Sequence, residues 1–301
     1  MFAERREILK CIKSISSDKL FYSEKVDDWI ALEINLKIKI NGKQLVGFAC
    51  SPVDCKDLAI GFLYTEGIIS HLQEVDHIII NKQTDTIEFI ISNVQDKNLD
   101  RWNNERTMSS GCGQGVISNI EYRRKNLLCV DGDFNITDLD ITKLFDHLIS
   151  HSDWYNKTGC IHQVTLFIND SVIIREDIGR HNAVDKVIGA AMLCGIDFHD
   201  TILYSSGRLS SDMILKAGKA QIPVVVSKTA PTSLALDIAN EYRITLIGFA
   251  RGKRFNIYTH PERIKITNKK NQFFNSNQSE KDLYFTDKTF IQNKNIIQEA
   301  Q

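Results

Sequence analysis

No CxxC pair occurs anywhere in the 301 residues, although the chain holds seven cysteines: Cys11, Cys50, Cys55, Cys112, Cys129, Cys160 and Cys194. An odd, scattered set is unlike the even, closely spaced cysteines of an extracellular disulfide framework. Long apolar runs are missing too. No window approaches the ~18 consecutive apolar residues of a membrane helix, and the opening MFAERREILK is not followed by the apolar stretch of a signal peptide. Together these absences predict a cytoplasmic, reducing setting in which a free thiol survives. Net charge is also lacking: a formal −1 gives no global footprint for nucleic acid or a membrane surface. Neither GxGxxG nor GxxxxGKS/T is present, which removes the usual dinucleotide and P-loop fingerprints. The HxE with PCxxC combination of a zinc deaminase is absent as well, since no PCxxC occurs, and that chemistry is set aside.

What is present is an ordinary globular composition, 43% hydrophobic and 25% charged, at a length suited to about two domains. After an N-terminal extension (1–20), alternation in WIALEINLKIKI, closed by Asn41-Gly42 before KQLVGFAC, predicts a β-hairpin. Asp54 or Asp57 is placed to cap a helix over LAIGFLYTEGII, and VDHIIINK and DTIEFIIS read as strands. Residues 21–150 are therefore expected to be an α+β domain ending in a cysteine loop (107–116). From 151 to 262 strands and helices alternate: QVTLFIND, SVIIREDI, NAVDKVIGAAMLCG, TILYSS, SSDMILKAGKA, IPVVVSK, PTSLALDIANEY and ITLIGFA. The expected class is α/β, with a mostly parallel or mixed sheet covered by helices. Residues 263–301 are polar and asparagine-rich, and are expected to be a loosely held tail.

Open α/β sheets bind ligands at the carboxyl ends of their strands, and four strand-to-helix or strand-to-strand loops are rich in binding groups. They contain Arg180, His181 and Asn182; Ser205 to Arg208; Ser227 to Ser233; and Phe249, Ala250, Arg251, Gly252, Lys253 and Arg254. Asn182 is expected to cap the helix after it, and the arginines offer planar forks suited to phosphate. Structural roles stand beside these: Arg180 and Arg208 can pair with Asp177, Asp185 or Asp212, and His181 can bond a neighbouring loop instead of moving a proton near neutral pH. Arg251, Lys253 and Arg254 can be a solvated charged turn. Cys50, Cys129 and Cys194 are expected in core positions, and Cys160 is expected in the core at a strand start, with a second thiol near the pocket as its alternative. Cys112, inside Met108-Ser109-Ser110-Gly111-Cys112-Gly113-Gln114-Gly115, is different. Three glycines in five positions cannot pack, and they present the sulfur on a mobile loop.

EDIGRHNAVDKVIG, SSGRLSSDMILKAGKAQIPVVVSKTAPTSLALDIA and TLIGFARGKRFNIYTHP resemble the FdhD family of formate dehydrogenase accessory sulfurtransferases, as do DLAIGFLYTEGII and SGCGQG upstream. The resemblance runs in order over about residues 20–262. It implies a C-terminal three-layer core of the cytidine deaminase type, a homodimer, and a cytoplasmic sulfur carrier. In that reading Cys112 takes a persulfide sulfur from a cysteine desulfurase and passes it to molybdenum bis(molybdopterin guanine dinucleotide), which then serves formate dehydrogenase. Phe249 to Arg254 correspond to the stretch that contacts this cofactor, and a guanine nucleotide would mimic it. Many members carry CGxCG where this chain has Ser109-Ser110-Gly111-Cys112-Gly113, so a second loop thiol is replaced by Ser109. The alternative is a non-catalytic chaperone that binds and delivers the cofactor, with Cys112 as a contact only.

Overall fold

The computed structural model describes residues 1–14, 21–92, 106–108, 116–118, 120–149, 153–168, 171–251, 254–267 and 297–299. The chain opens with a long two-stranded ribbon. β1 (Ala3–Lys13) pairs antiparallel with β2 (Phe21–Ala31), so the segment expected to be an extension is a strand, and Trp29 to Ala31 belong to β2. The remainder of the alternating stretch forms the expected hairpin, β3 (Ile34–Ile40) against β4 (Lys43–Cys50). Asn41 and Gly42 both take positive φ, 46° and 83°, as a type I′ turn requires.

Helix α1 (Cys55–Thr65) follows, then β5 (His77–Asn81) and β6 (Thr86–Ile90). The sheet runs β17-β5-β6-β3-β4, its first strand being β17 (Ile297–Glu299) from the far end of the chain. Thus part of the polar tail is an edge strand parallel to β5. Leu36, Ile38, Ile40, Ile78, Ile87 and Phe89 bury one face of this sheet against Leu58, Phe62 and Leu63 of α1. Of the two expected caps, Asp54 is the N-cap residue, but it sits there in a left-handed conformation (φ 54°) without a side-chain bond to the helix amides. Asp57 is buried in the first turn and accepts from Arg175 Nε at 2.8 Å instead.

β7 (Arg106–Met108) and β8 (Val116–Ser118) pair antiparallel, with Met108 opposite Val116. They lead to α2 (Ile120–Lys125), β9 (Ile136–Thr137), α3 (Asp138–Ile149) and α4 (Asp153–Thr158).

The second sheet has six strands, built from β10 (His162–Ile168), β11 (Ser171–Asp177), β12 (Thr201–Ser205), β13 (Val224–Ser227), β14 (Thr245–Arg251) and β15 (Arg254–Thr259). Its order is β11-β10-β12-β13-β14-β15. β12, β13 and β14 are parallel; the flanking pairs are antiparallel, so the sheet is mixed. Side chains alternate with period two. Leu166, Leu203, Val225 and Leu246 face α5 (Arg180–Leu193), α6 (Ser211–Lys219) and α7 (Ser233–Glu241). Phe167, Ile202, Tyr204, Val224, Val226 and Ile247 face Ile136, Ile141 and Leu144 of β9 and α3, and Ile264 of β16 (Ile264–Lys265). The result is a three-layer α/β core. The helices behave as their sequences suggest, α5 stopping just before Gly195, which takes φ 67°.

The two sheets meet through α1 and α5, and that contact is unusually close. A Cβ on Gly61 would lie 1.9 Å from the carbonyl oxygen of Asp185, and one on Gly189 would lie 2.0 Å from that of Asp57. Only glycine at both positions lets the backbones cross at this distance.

Candidate functional site

At the carboxyl ends of β12, β13 and β14 the sequence changes from continuous apolar to small, polar and cationic, and the backbone there is stitched loop to loop. Ser206 and Gln163 exchange bonds: the Ser206 amide donates to the Gln163 carbonyl and the Gln163 amide to Ser206 Oγ, both at 3.0 Å. Gly207 lies against the Arg180 stem, where an added Cβ would be 3.1 Å from its Cδ. Ser227 Oγ donates to the Gly207 carbonyl at 2.7 Å and accepts from the Thr229 amide at 2.9 Å. The Leu209 amide reaches the Ala230 carbonyl, and the Phe249 amide reaches the Thr229 carbonyl at 2.9 Å. All four loops singled out in the sequence therefore form one continuous floor.

The first loop is fixed by Asp177. This buried carboxylate accepts from the amides of Gly179 (2.8 Å) and Ser51 (3.0 Å), from Asn182 Nδ2 (2.9 Å), and pairs with buried Lys186 at 2.6 Å. Asn182 is accordingly not the helix cap. It lies inside α5, whose N-cap is Gly179, and its amide also donates to the Ala49 carbonyl. The competition is physical: a charged acceptor with four donors outbids a free helix amide.

Arg180 is buried and Arg208 is exposed, both near His162, whose imidazole is held below its ordinary pKa by burial and then by these two cations. His181 lies within reach of Ser210 Oγ (3.3 Å) and Asp212 Oδ2 (3.6 Å). Burial lowers it to about 4 despite Asp212. It is therefore a neutral hydrogen-bonding group at pH 7, in line with the first of its two expected roles, a bond to a neighbouring loop. Gln163 is buried with a side-chain nitrogen that has no hydrogen-bond partner among the described residues, an arrangement that favours a polar ligand at this end of the sheet.

Phe249 sits at φ 50°, uncommon for a large residue. Its ring lies 5.9 Å from the Arg251 guanidinium. Ala250 is buried, while Arg251 and Arg254 are exposed and stand directly opposite each other across β14 and β15. Two like charges at one rung repel, and a bound anion relieves that repulsion. Gly252 and Lys253, between them, lie outside the described residues.

Cys112, with residues 109–115, also lies outside the described residues. The strands on either side of it are β7 and β8, and α2 begins two residues after β8. Arg123 of α2 is buried and bonds Asp212, the same carboxylate that approaches His181, and it lies 3.3 Å from Glu66. Helix α2, which follows the cysteine loop in the sequence, is thus anchored through Arg123 to the carboxylate beside His181. The other cysteines correct three expectations: Cys50 is buried, but Cys129 and Cys160 are exposed and Cys194 is only partly covered. Cys160 follows Gly159 at φ 65°, which turns the chain before the strand begins.

Sequence reasoning missed a buried polar cluster behind this floor. Lys216 Nζ donates to both Asp185 oxygens (2.9 and 2.8 Å) and to Thr65 Oγ1 (3.1 Å), and Glu66 is 3.7 Å away. Burial raises Asp185 to about 6 against the pull of Lys216, whereas Lys216 and Arg123 overcome burial and hold Asp212 well below the usual carboxylate range. A signal existed: Asp185 and Lys216 interrupt otherwise apolar faces in NAVDKVIGAAML and DMILKAGK.

Residues 31–265 match the model of the FdhD/NarQ family. The chain belongs to that family. The sulfur carrier protein FdhD of Bacillus subtilis is 35% identical over 244 residues, covering 80% of this chain and 92% of that one. Its namesake in Wolinella succinogenes is 34% identical over 258 residues, 85% and 88% of the two chains. That of Methanothermobacter thermautotrophicus is 35% identical over 240 residues, 80% and 93%. Among solved structures, a Desulfotalea psychrophila protein described as a formate dehydrogenase accessory protein superposes with a TM-score of 0.69, at 24% identity, over 88% of this chain and all of that one. The last likeness speaks for the fold. Among the described residues no helix is long and apolar enough to cross a membrane.

Proposed function

We propose that this chain is a cytoplasmic sulfurtransferase that carries sulfur on Cys112 toward a molybdenum cofactor, in the service of formate dehydrogenase. The observation that carries the reading is the match to sulfur carriers over most of both chains. In the first step the Cys112 thiolate attacks the outer sulfur of a cysteine desulfurase persulfide. The desulfurase cysteine leaves as thiolate, and Cys112 becomes the persulfide. The cargo, a molybdenum bis(molybdopterin guanine dinucleotide), is an anion with a purine at each end. Arg180, Arg208, Arg251, Lys253 and Arg254 supply forks and charge for its phosphates. His181, neutral at pH 7, and the unmet Gln163 amide supply polar contacts without adding charge. Phe249 and Ala250 shape the wall. The carrier is read as a homodimer on family resemblance, and no nucleic-acid or membrane partner is proposed.

The deciding experiment is mass spectrometry of the protein after incubation with a cysteine desulfurase and cysteine, digested without reductant. Extra sulfur on the Cys112 peptide, lost in Cys112→Ala, is the expected result and shows that one loop thiol suffices without a partner at Ser109. If Cys112 stays unmodified while the protein still binds cofactor, the chaperone reading replaces this one.

A further inference from the structure

Apart from Ala31, the β1–β2 ribbon lies outside residues 31–265, the span matched by the family model, and no part of the sulfur-carrier reading uses it. It is held to the body at its base. The rings of Phe2 and Trp29 pack on Trp154 of α4 at centroid distances of 5.7 and 5.9 Å, and Lys157 Nζ lies 6.0 Å from the Trp29 ring. Ala3 opposite Ala31, Arg5 opposite Trp29, and every second rung after them share one face. That face turns toward the body, and the other turns away from it.

The outward face carries the rungs Glu4–Ile30, Arg6–Asp28, Ile8–Val26, Lys10–Glu24 and Ile12–Tyr22. Ile8, Val26 and Ile12 are only partly covered, and Ile30 and Tyr22 are 37% and 53% exposed. A two-stranded ribbon is marginally stable in water until further strands or a helix cover its apolar face. The charges say which cover fits. Midway along the outward face β1 is basic, at Arg6 and Lys10, and β2 is acidic directly opposite, at Asp28 and Glu24.

We propose that this face is a self-association surface, on which two copies of the chain stack their ribbons into a four-stranded sandwich about a two-fold axis parallel to the strands. That axis lays β1 of one copy over β2 of the other at the same rung. Arg6 then meets Asp28 of the second copy and Lys10 meets Glu24, each twice by symmetry, around Ile8 on Val26 and Ile12 on Tyr22. A two-fold axis across the strands is excluded by the same charges, because it lays Arg6 on Lys10 and Asp28 on Glu24. The inward face offers no such match: Glu7 stands opposite Asp27, and Lys25 is already paired with Glu7 at 2.8 Å. Since the bodies sit on the inward side, they lie on the outer flanks of the sandwich. Ribbon faces of about 35 Å by 10 Å bury roughly 700 Å² in total, the size of a weak and reversible contact. The contact is separate from any made by the family-shared residues, and it does not rest on the sulfur-carrier reading.

The test uses two full-length variants. In one, Arg6→Glu and Lys10→Glu make the outward charges all acidic. In the other, Glu24→Lys and Asp28→Lys make them basic apart from Glu4. Sedimentation velocity is run on wild type, on each variant and on their equimolar mixture. The wild-type sedimentation coefficient should rise with concentration, and that of each variant alone should not. The mixture should regain the rise and lose it again as salt is added. A variant that failed to fold would not give this recovery. Pairing within one ribbon would not give it either, because each ribbon in the mixture still opposes charges of one sign. A mixture that sediments as the sum of its two components overturns the proposal. So does a wild type with no concentration dependence, and so do variants that associate as wild type does, which would put the contact on another surface.

Discussion

At the scale of single residues, charge and burial separate groups that look alike in the sequence. His181 and His162 stand at the same sheet end, and both are held in the neutral form by their surroundings. For His181 the folded value of about 4 lies below the unfolded 6.5, so between those values the unfolded chain binds more protons and stability rises with pH. Replacing His181 with Gln should remove that slope, at most about 3 kcal/mol across the window by the usual ~1.4 kcal/mol per pH unit. Asp185, raised to about 6, tilts the curve the other way between its unfolded value near 4 and 6, and the difference between wild type and variant cancels it. Urea melts of both proteins from pH 4 to 7 check the prediction; parallel curves would disprove it. Arg254 makes a second case. It faces Arg251 across the ladder, so Arg254→Ala should leave the melting temperature unchanged or slightly higher. The same change should weaken guanosine diphosphate binding by roughly tenfold or more, the loss of one charge-assisted contact. Calorimetric titration and a thermal melt on the same sample read both; equal loss of stability and affinity would mean the arginine is structural.

Elements were far more legible than their ends. The switch from alternating to strand-and-helix rhythm located the α/β core, and Asn41-Gly42 located a hairpin, because periodicity and turn chemistry are local. Caps were not legible. Asn182 and Asp57 are good capping residues by type, but each is drawn into a long-range bond, to the Ala49 carbonyl and to Arg175, that no local pattern encodes. Cys129 and Cys160 were misplaced for a related reason: both lie in connections between elements, where apolar neighbours in sequence do not fix which way a side chain turns. Of the candidate site, the four loops were legible from their composition, whereas their stitching through Gln163, Ser206 and Ser227 was not. The crossing of α1 and α5 gives the sharpest element-scale test. Gly61→Ala or Gly189→Ala places a methyl on a peptide carbonyl, which should cost ~3 kcal/mol or more by forcing the helices apart. Gly67→Ala, in open space but at φ 72°, should cost about 1 kcal/mol in the same denaturation series.

For the whole molecule, the buried cluster decides how the two halves unfold. Thr65 and Glu66 come from α1 in the first half, Arg123 from α2, and Asp185, Asp212 and Lys216 from α5 and α6 in the second. Lys216→Met removes the ammonium that bonds both oxygens of buried Asp185 and leaves Glu66 to Arg123, and loss of one partner in such a buried group costs about 3–5 kcal/mol. Since the cluster belongs to both halves, circular dichroism and intrinsic fluorescence should move together to a lower midpoint. Separate transitions would show instead that each half stands alone. The glycine crossing sets a different kind of limit. When a side chain obstructs another side chain, a later change in the neighbour can make room. At Gly61 and Gly189 the obstacle is the peptide carbonyl of the facing helix, which every amino acid carries alike. No second substitution at Asp185 or Asp57 can clear it, so drift at either glycine has no repair by a partner. Among descendants of this chain, those two positions should accept change only if the helices themselves part.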